Sequence, residues 1–282
     1  MNADPEEHSE RAPRRKADRR VTVPEFRARK ARGGKIVMVT AYDYPSALLA
    51  DRAGVDCVLV GDSVASTVQG HSTTLPVTLD EMIYHVRMVR RGIQRALLVA
   101  DLPFGSYQVN ADEAVRSAVR LLKEGGADAV KLEGGAPMAA AVRRLTEAGI
   151  PVMAHLGLTP QSIHLFGGHR VQGREAAAAA QMLADAQALE AAGAFGLVLE
   201  TIPAELAARI TAGITIPTIG IGAGPDCDGQ VQVWHDLLGL IPGRTFRHAK
   251  RYAELGAAAE AALRAYTDEV RQGAFPTKEQ SL

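Results

Sequence analysis

The stretch Val58-Leu59-Val60-Gly61-Asp62-Ser63 constrains this chain more than any other feature, because an aliphatic strand runs straight into a carboxylate and a hydroxyl. Three further stretches repeat the design: Leu97-Leu98-Val99-Ala100-Asp101, Ala129-Val130-Lys131-Leu132-Glu133 and Gly196-Leu197-Val198-Leu199-Glu200. Short aliphatic runs of this kind suit strands buried on both faces of a parallel sheet. An ionised carboxylate at the edge of a core must find a cation or several donors, or change its protonation state. Several at one mouth ask for a metal ion. A parallel barrel supplies such a mouth, since the carboxyl ends of its strands gather at one face. Any one of these acids is equally well explained as the cap of the helix behind it, but four together are not.

The rest of the chain continues the alternation. A short helix over Pro24 to Ala31 ends at Gly33-Gly34, and Lys35 to Ala41 reads as the first strand. Ser46 to Ala53 reads as a helix closed by Gly54, leading to the strand that ends at Asp62-Ser63. The polar loop from Gln69 to Pro76 is of the kind that builds or covers an active site. Thr78-Leu79-Asp80-Glu81 is a capping box, and the helix behind it puts Met82, Ile83, Val86 and Val89 on one face. Helices over Ala111 to Glu124, Pro137 to Ala148 and Arg174 to Ala192 each stop at glycine. Strands are expected at Ala96 to Asp101, up to Glu133, at Pro151 to His155, up to Glu200, from Pro217, and, as the eighth, over Gln230 to Leu238, with Trp234 as packing. Eight strands alternating with helices close a (β/α)8 barrel, and one domain of about 250 residues nearly fills a chain of 282. An open doubly wound sheet would bring an early G-x-G-x-x-G turn, and none follows the first strand. Gly220-Ile221-Gly222-Ala223-Gly224 fails that spacing; it reads either as a turn letting backbone approach a ligand or as ordinary turn chemistry.

Charge narrows the partners. Lys plus Arg and Asp plus Glu each number 32, so no whole-molecule field favours nucleic acid or an anionic membrane, and a small molecule is the expected partner. Residues 1–20 carry mixed charge and almost nothing apolar, so they read as a disordered tail ahead of a barrel domain over 21–282. Cys57 and Cys227 lack metal spacing, which favours a reduced setting. No apolar run reaches the roughly 18 residues of a membrane helix. A soluble, cytoplasmic protein is expected.

Several words along the chain then point to a family. They are Thr40-Ala41-Tyr42-Asp43, Val60-Gly61-Asp62-Ser63, Val68-Gln69-Gly70-His71, Ala100-Asp101-Leu102-Pro103-Phe104, Val130-Lys131-Leu132-Glu133-Gly134-Gly135, His155-Leu156-Gly157-Leu158-Thr159-Pro160-Gln161-Ser162 and the glycine run from Gly220. From about Lys35 to Phe275 the chain resembles ketopantoate hydroxymethyltransferases, also called 3-methyl-2-oxobutanoate hydroxymethyltransferases. The resemblance implies a (β/α)8 barrel holding one divalent ion, usually Mg²⁺, on Asp62, Asp101 and Glu133. It also implies Glu200 as general base, with Ser63 and Lys131 contacting a 2-oxo acid. Methylenetetrahydrofolate is the implied one-carbon donor, and a homo-oligomer, often a decamer, the implied assembly. The ending Phe275 to Leu282 departs from the Glu-His-Ser-Phe ending frequent in the family.

These residue types suit that chemistry. Removing a proton beside a ketone requires something to hold the enolate, and a hard cation on carboxylate oxygens can chelate the substrate's acid and keto oxygens. That places Asp62 and Asp101 against the substrate as well as the ion. Lys131 and Glu133 lie two apart on one strand and share a face, so Lys131 either neutralises the substrate carboxylate and steadies the enolate or is a structural counter-ion. Glu200 lies far from the metal set in sequence and is free to take the proton; its alternative is a helix cap. Ser63 offers its amide or hydroxyl to the substrate carboxylate. His155 is a candidate for a hydrogen bond near the new hydroxyl, or a structural histidine. His71, His164 and His169 lie in loops without an assigned role. The competing enzyme is another Mg²⁺-dependent 2-oxo acid C–C or P–C bond enzyme of the isocitrate lyase or phosphonomutase type. Such a lyase would normally bring a Lys-Cys-Gly-His loop, which this chain lacks. A catalytically silent barrel would let the charged positions decay, and none has.

Overall fold

The structure, a computed structural model, describes residues 19–243 and 245–282, so the tail expected over 1–20 falls outside the described residues except at Arg19 and Arg20. Eight parallel strands close into a barrel in chain order: β1 (Ile36–Thr40), β2 (Cys57–Val60), β3 (Leu97–Asp101), β4 (Ala129–Glu133), β5 (Val152–Gly157), β6 (Gly196–Glu200), β7 (Thr218–Ile221) and β8 (Gly229–Gln232). β8 returns to β1, with Ile36 opposite Gly229 and Met38 opposite Val231.

Period-two alternation sorts the side chains of each strand. Leu97 and Val99, Ala129, Met153 and Val198 belong to one interior cluster. Leu98 and Ala100, Val130 and Leu132, Ala154, Leu197 and Leu199 pack in a second cluster with the surrounding helices. Continuing the inward set along each strand gives Asp101 on β3, Lys131 and Glu133 on β4, His155 on β5 and Glu200 on β6. The barrel is therefore apolar toward one end and charged toward the other.

The apolar end is plugged. Phe26, from the helix Val23–Ala31, is fully buried in the interior cluster and stands edge-on to Phe195 at 5.5 Å. Arg29 and Lys30 of the same helix pair with Asp56 and Asp228 at 2.9 and 3.0 Å. The expected capping box closes the helix Leu79–Gly92, where Thr78 Oγ1 accepts from the Glu81 amide and Glu81 Oε2 accepts from the Thr78 amide.

Two expectations need correction. The regular part of β2 stops at Val60, two residues before Asp62. The eighth strand stops at Gln232 and Trp234 opens a short helix, Trp234–Leu237, because its amide donates to the Thr40 hydroxyl at 2.9 Å instead of extending the ladder. Trp234 packs partly buried against the outer core, as expected of its bulk. After β7, the Cβ that Gly224 lacks would fall 2.5 Å from the Ala204 Cβ, so close chain packing accounts for that glycine. The structure adds a helix, Leu255–Arg271, of which only Gly256 is buried. Its Leu263, Tyr266 and Val270 are exposed, as is Val37 on the outer face of β1. Among the described residues, no helix is long and apolar enough to cross a membrane.

Candidate active site

Strand register brings the charged residues together. Asp101 lies opposite Lys131, and Glu133 opposite His155. The Lys131 ammonium donates to Asp101 Oδ1 at 2.7 Å and stands 3.9 Å from Glu133 Oε1. Asp62 reaches the same place by a different route. Gly61 occupies the inward position after β2, and the chain then turns into the short helix Val64–Thr67. The turn delivers the Asp62 amide to Asp101 Oδ2 at 2.9 Å. Ser63 follows on that turn, and its Oγ shares a 2.7 Å hydrogen bond with the Tyr42 hydroxyl.

His155 bridges the two halves of the site. Its Nδ1 lies 3.3 Å from Glu133 Oε1 and its Nε2 3.3 Å from Glu200 Oε2. Neither contact has hydrogen-bond alignment, so both ring nitrogens are held by charge rather than by directed bonds. Glu200 differs from the rest in access: its side chain keeps 17% of its exposure, against 2% for His155 and Glu133. Its backbone is clamped, with the carbonyl accepting from the Leu158 amide at 2.8 Å and Thr201 beyond it in a left-handed conformation (φ 50°). Gly157 has φ 97°, and a Cβ there would lie 2.1 Å from the Glu200 carbonyl oxygen, so glycine is obligatory at that crossing.

Among the described residues, four carboxylates face Lys131 and His155 as cations around a cavity of about 330 Å³, which Asp62, Asp101, Glu133, Glu200 and Ser63 also line. Burial, reinforced by the charges of Glu133 and Asp101, pushes Asp62 up to about 8. Burial also raises Asp101, outweighing the neighbouring ammonium. For Lys131 burial opposes the charge, but Asp101, Glu133 and Asp62 prevail and hold it above the ordinary lysine value. His155 is pulled down by burial and by Lys131, yet Glu133 and Glu200 push it up to about 9, so it is an imidazolium at neutral pH. Burial likewise opposes the Glu133 charge, but His155, Lys131 and the Gln161 amide keep it below its ordinary value.

Two residues to which sequence reasoning gave no role complete the site. Tyr107, in the loop after β3, and Gln161, in the 3-10 turn Pro160–Ser162, are buried and joined by a 2.8 Å hydrogen bond from the tyrosine hydroxyl to the amide oxygen. Gln161 Nε2 donates to Asp62 Oδ2 at 3.1 Å and to the Leu102 carbonyl at 3.0 Å, while its backbone amide donates to Glu133 Oε2 at 3.0 Å. Their only sequence signal is the position of Gln161 inside the word that begins at His155.

A family model described as ketopantoate hydroxymethyltransferase matches residues 20–278. The chain belongs to the ketopantoate hydroxymethyltransferase family. It is 61% identical over 263 residues to a protein of Moorella thermoacetica named 3-methyl-2-oxobutanoate hydroxymethyltransferase, with 93% of this chain and 98% of that protein covered. A protein of the same name from Gluconacetobacter diazotrophicus is 60% identical, covering 93% of this chain and 94% of that protein. Among solved structures, phosphonopyruvate hydrolase in complex with oxalate and Mg²⁺ aligns with a TM-score of 0.61 at 15% identity, covering 92% of this chain and 93% of that one. A 2,3-dimethylmalate lyase aligns with a TM-score of 0.57 at 18% identity, covering 92% and 91%. At those identities the likeness is one of fold.

The donor atoms of this ketopantoate hydroxymethyltransferase family member fit a hard divalent cation in chemistry and charge. Asp62, Asp101 and Glu133 offer only oxygen, and they carry more negative charge than Lys131 neutralises. Glu133 Oε1 is buried without a hydrogen bond, and Asp62 is destabilised as an anion, a penalty that a nearby cation removes. Among the described residues no three His, Cys, Asp or Glu side chains converge in ligating geometry, so the protein offers charge and oxygen atoms rather than a closed cage.

Proposed function

We propose that this protein transfers a hydroxymethyl group from 5,10-methylenetetrahydrofolate to 3-methyl-2-oxobutanoate, giving ketopantoate and tetrahydrofolate in the cytoplasmic synthesis of pantothenate and coenzyme A. The observation that carries the reading is the opening of Glu200 onto the same cavity as Asp62, Asp101, Lys131 and Glu133. Asp62, Asp101 and Glu133 would hold one Mg²⁺, with oxygens of the oxo acid sharing it. When bound, that ion withdraws the charge that develops on the keto oxygen.

The chain's own residues perform the remaining work. Glu200, the most accessible carboxylate of the four, takes the proton from C3 of the oxo acid. His155 stands against Glu200 Oε2 and fixes the side chain by its charge. Lys131 presents a permanent positive charge to the substrate carboxylate, and Ser63, with its hydroxyl held by Tyr42, offers its amide or hydroxyl to the same group. The carbon left with the electron pair bonds to the methylene carbon of the donor. Both bonds from that carbon to the folate nitrogens break, each nitrogen taking a proton as tetrahydrofolate leaves; water supplies the hydroxyl oxygen to the one-carbon unit, and the proton taken by Glu200 returns to the new alkoxide. Self-association into a homo-oligomer, a decamer by resemblance, is supported by the uncovered apolar face of the helix Leu255–Arg271.

The test is formation of ketopantoate by the pure protein. Product should require both methylenetetrahydrofolate and a divalent ion and should vanish with EDTA. Turnover of the oxo acid without folate would favour a lyase-type reaction and overturn the assignment.

A further inference from the structure

The Gln161 side chain uses all four of its hydrogen-bonding positions. Nε2 donates to Asp62 Oδ2 and to the Leu102 carbonyl, and Oε1 accepts from the Tyr107 hydroxyl at 2.8 Å and from Gln108 Nε2 at 3.1 Å. The orientation of the amide is fixed by chemistry. A flipped amide would point its oxygen at the Leu102 carbonyl, which cannot donate. Tyr107 is constrained in turn, because its oxygen accepts from the Glu133 amide at 3.1 Å and its proton has the Gln161 amide oxygen at 2.8 Å as its nearer acceptor, the Glu133 carbonyl standing at 3.3 Å. The backbone amide of Gln161 adds a bond to Glu133 Oε2 at 3.0 Å.

The consequence is a division of labour within two carboxylates. Gln161 occupies Oδ2 of Asp62 and Oε2 of Glu133. The sister atoms, Asp62 Oδ1 and Glu133 Oε1, make no hydrogen bond among the described residues, although Glu133 Oε1 is faced by the charges of His155 at 3.3 Å and Lys131 at 3.9 Å, which an ion there would have to share. One residue thus determines which oxygen of each acid is left for a ligand in the cavity.

We propose that Gln161, backed by Tyr107, is a positioning residue that presents Asp62 Oδ1 and Glu133 Oε1 to a divalent cation. The inference rests on the divalent-ion reading of the site given under Proposed function. The reach of the two side chains differs: Gln161→Leu removes the amide from Asp62 but leaves the backbone bond to Glu133, and Tyr107→Phe leaves the Asp62 bond but frees the amide to rotate.

The probe is Mn²⁺ alone, titrated into metal-stripped protein and followed by the loss of the free-ion electron paramagnetic resonance signal, with no substrate present. Gln161→Leu should weaken Mn²⁺ binding about 10- to 100-fold, the usual penalty for losing a hydrogen bond to a ligating group. Tyr107→Phe should weaken it less, and it carries the test if Gln161→Leu does not fold. The melting temperature in EDTA provides the control, since a merely structural role would lower it and leave the affinity of the folded protein unchanged. Unaltered Mn²⁺ affinity in folded variants, with the wild type binding normally, overturns the role of Gln161 alone. A wild type that takes up no Mn²⁺ overturns the ion reading and this inference together.

Discussion

Replacing Asp62 with Asn should make the metal-free protein more stable while destroying its activity. Asp62 is buried among Glu133 and Asp101, and burial with their repulsion moves it from 3.8 to about 8. For such a group the unfolded chain gains from ionisation as soon as the pH passes about 4, whereas the folded chain gains only above about 8. Stability contributed by the protonated form is therefore complete below pH 4 and is lost as the pH rises toward 8, beyond which the loss is constant. At about 1.4 kcal/mol per pH unit the upper bound is roughly 6 kcal/mol, and sharing of charge among the three acids reduces the expected gain to about 2–5 kcal/mol. Asn keeps the oxygen that accepts from Gln161, so the neighbouring network survives the change. Urea unfolding in EDTA at pH 5, 7 and 9 should show the variant's advantage growing between the first two and levelling off by the third. Saturating Mg²⁺ should erase it by stabilising the wild type alone. A variant equal to or less stable than wild type at pH 9 would refute the claim that the carboxylates are mutually destabilising.

Other perturbations read other parts of the site. Glu200→Gln should slow deuterium exchange at C3 of the oxo acid by about 100- to 10,000-fold while leaving binding of that acid, followed by calorimetry, nearly unchanged. His155→Gln should cost up to about 3 kcal/mol at pH 6, because burial and Lys131 are overcome by Glu133 and Glu200 to raise the imidazole to about 9. That contribution is complete below about pH 6.5 and fades as the pH passes 9, so the difference from wild type in urea titrations should shrink by pH 9.5. Gly157→Ala should lower kcat/KM by about 100-fold or more, since the new methyl displaces the Glu200 carbonyl and with it the base. Phe26→Ala should reduce unfolding free energy by about 3–5 kcal/mol without altering KM, because it empties the plugged end of the barrel and not the mouth.

How far the sequence could be read depended on whether parity carried the information. Asp101, Lys131, Glu133 and Glu200 lie in register with apolar inward neighbours on their own strands, so the period of two places them at the mouth without knowledge of the fold's details. Asp62 was placed there for an incomplete reason. Counting from Leu59 makes Gly61 the inward residue, and only the turn into Val64–Thr67 redirects Asp62. The run Gln230 to Leu238 was read as one strand although it contains a strand and a helical turn, since short apolar runs of either kind look alike until length decides. Gln161 and Tyr107 carry no periodic pattern; only the place of Gln161 in the word that begins at His155 marks either of them. A polar residue in a connecting turn ordinarily faces water, and nothing local reveals that the segments after β2 and β3 and the end of β4 will enclose it.

The two ends of the barrel separate stability from function using the same residue type. At the plugged end Asp56 meets Arg29 at 2.9 Å and the Val37 amide at 3.0 Å, Asp228 meets Lys30 at 3.0 Å and the Thr218 amide at 2.9 Å, and Asp128 meets Arg90 at 3.3 Å and the Leu98 amide at 3.0 Å. Each of these acids has a cation and a backbone donor. At the mouth, among the described residues, Asp62, Asp101, Glu133 and Glu200 divide Lys131 and His155 between them, and burial, reinforced by the charges of Glu133 and Asp101, pushes Asp62 up to about 8. An uncompensated acid in a buried place lowers stability, and a chain that can place cations beside Asp56, Asp128 and Asp228 has no structural need to leave Asp62 and Asp101 short of them. The shortage is accounted for if a cation and a substrate supply what the protein withholds, which is why the Asp62→Asn comparison with and without Mg²⁺ tests the function through the stability.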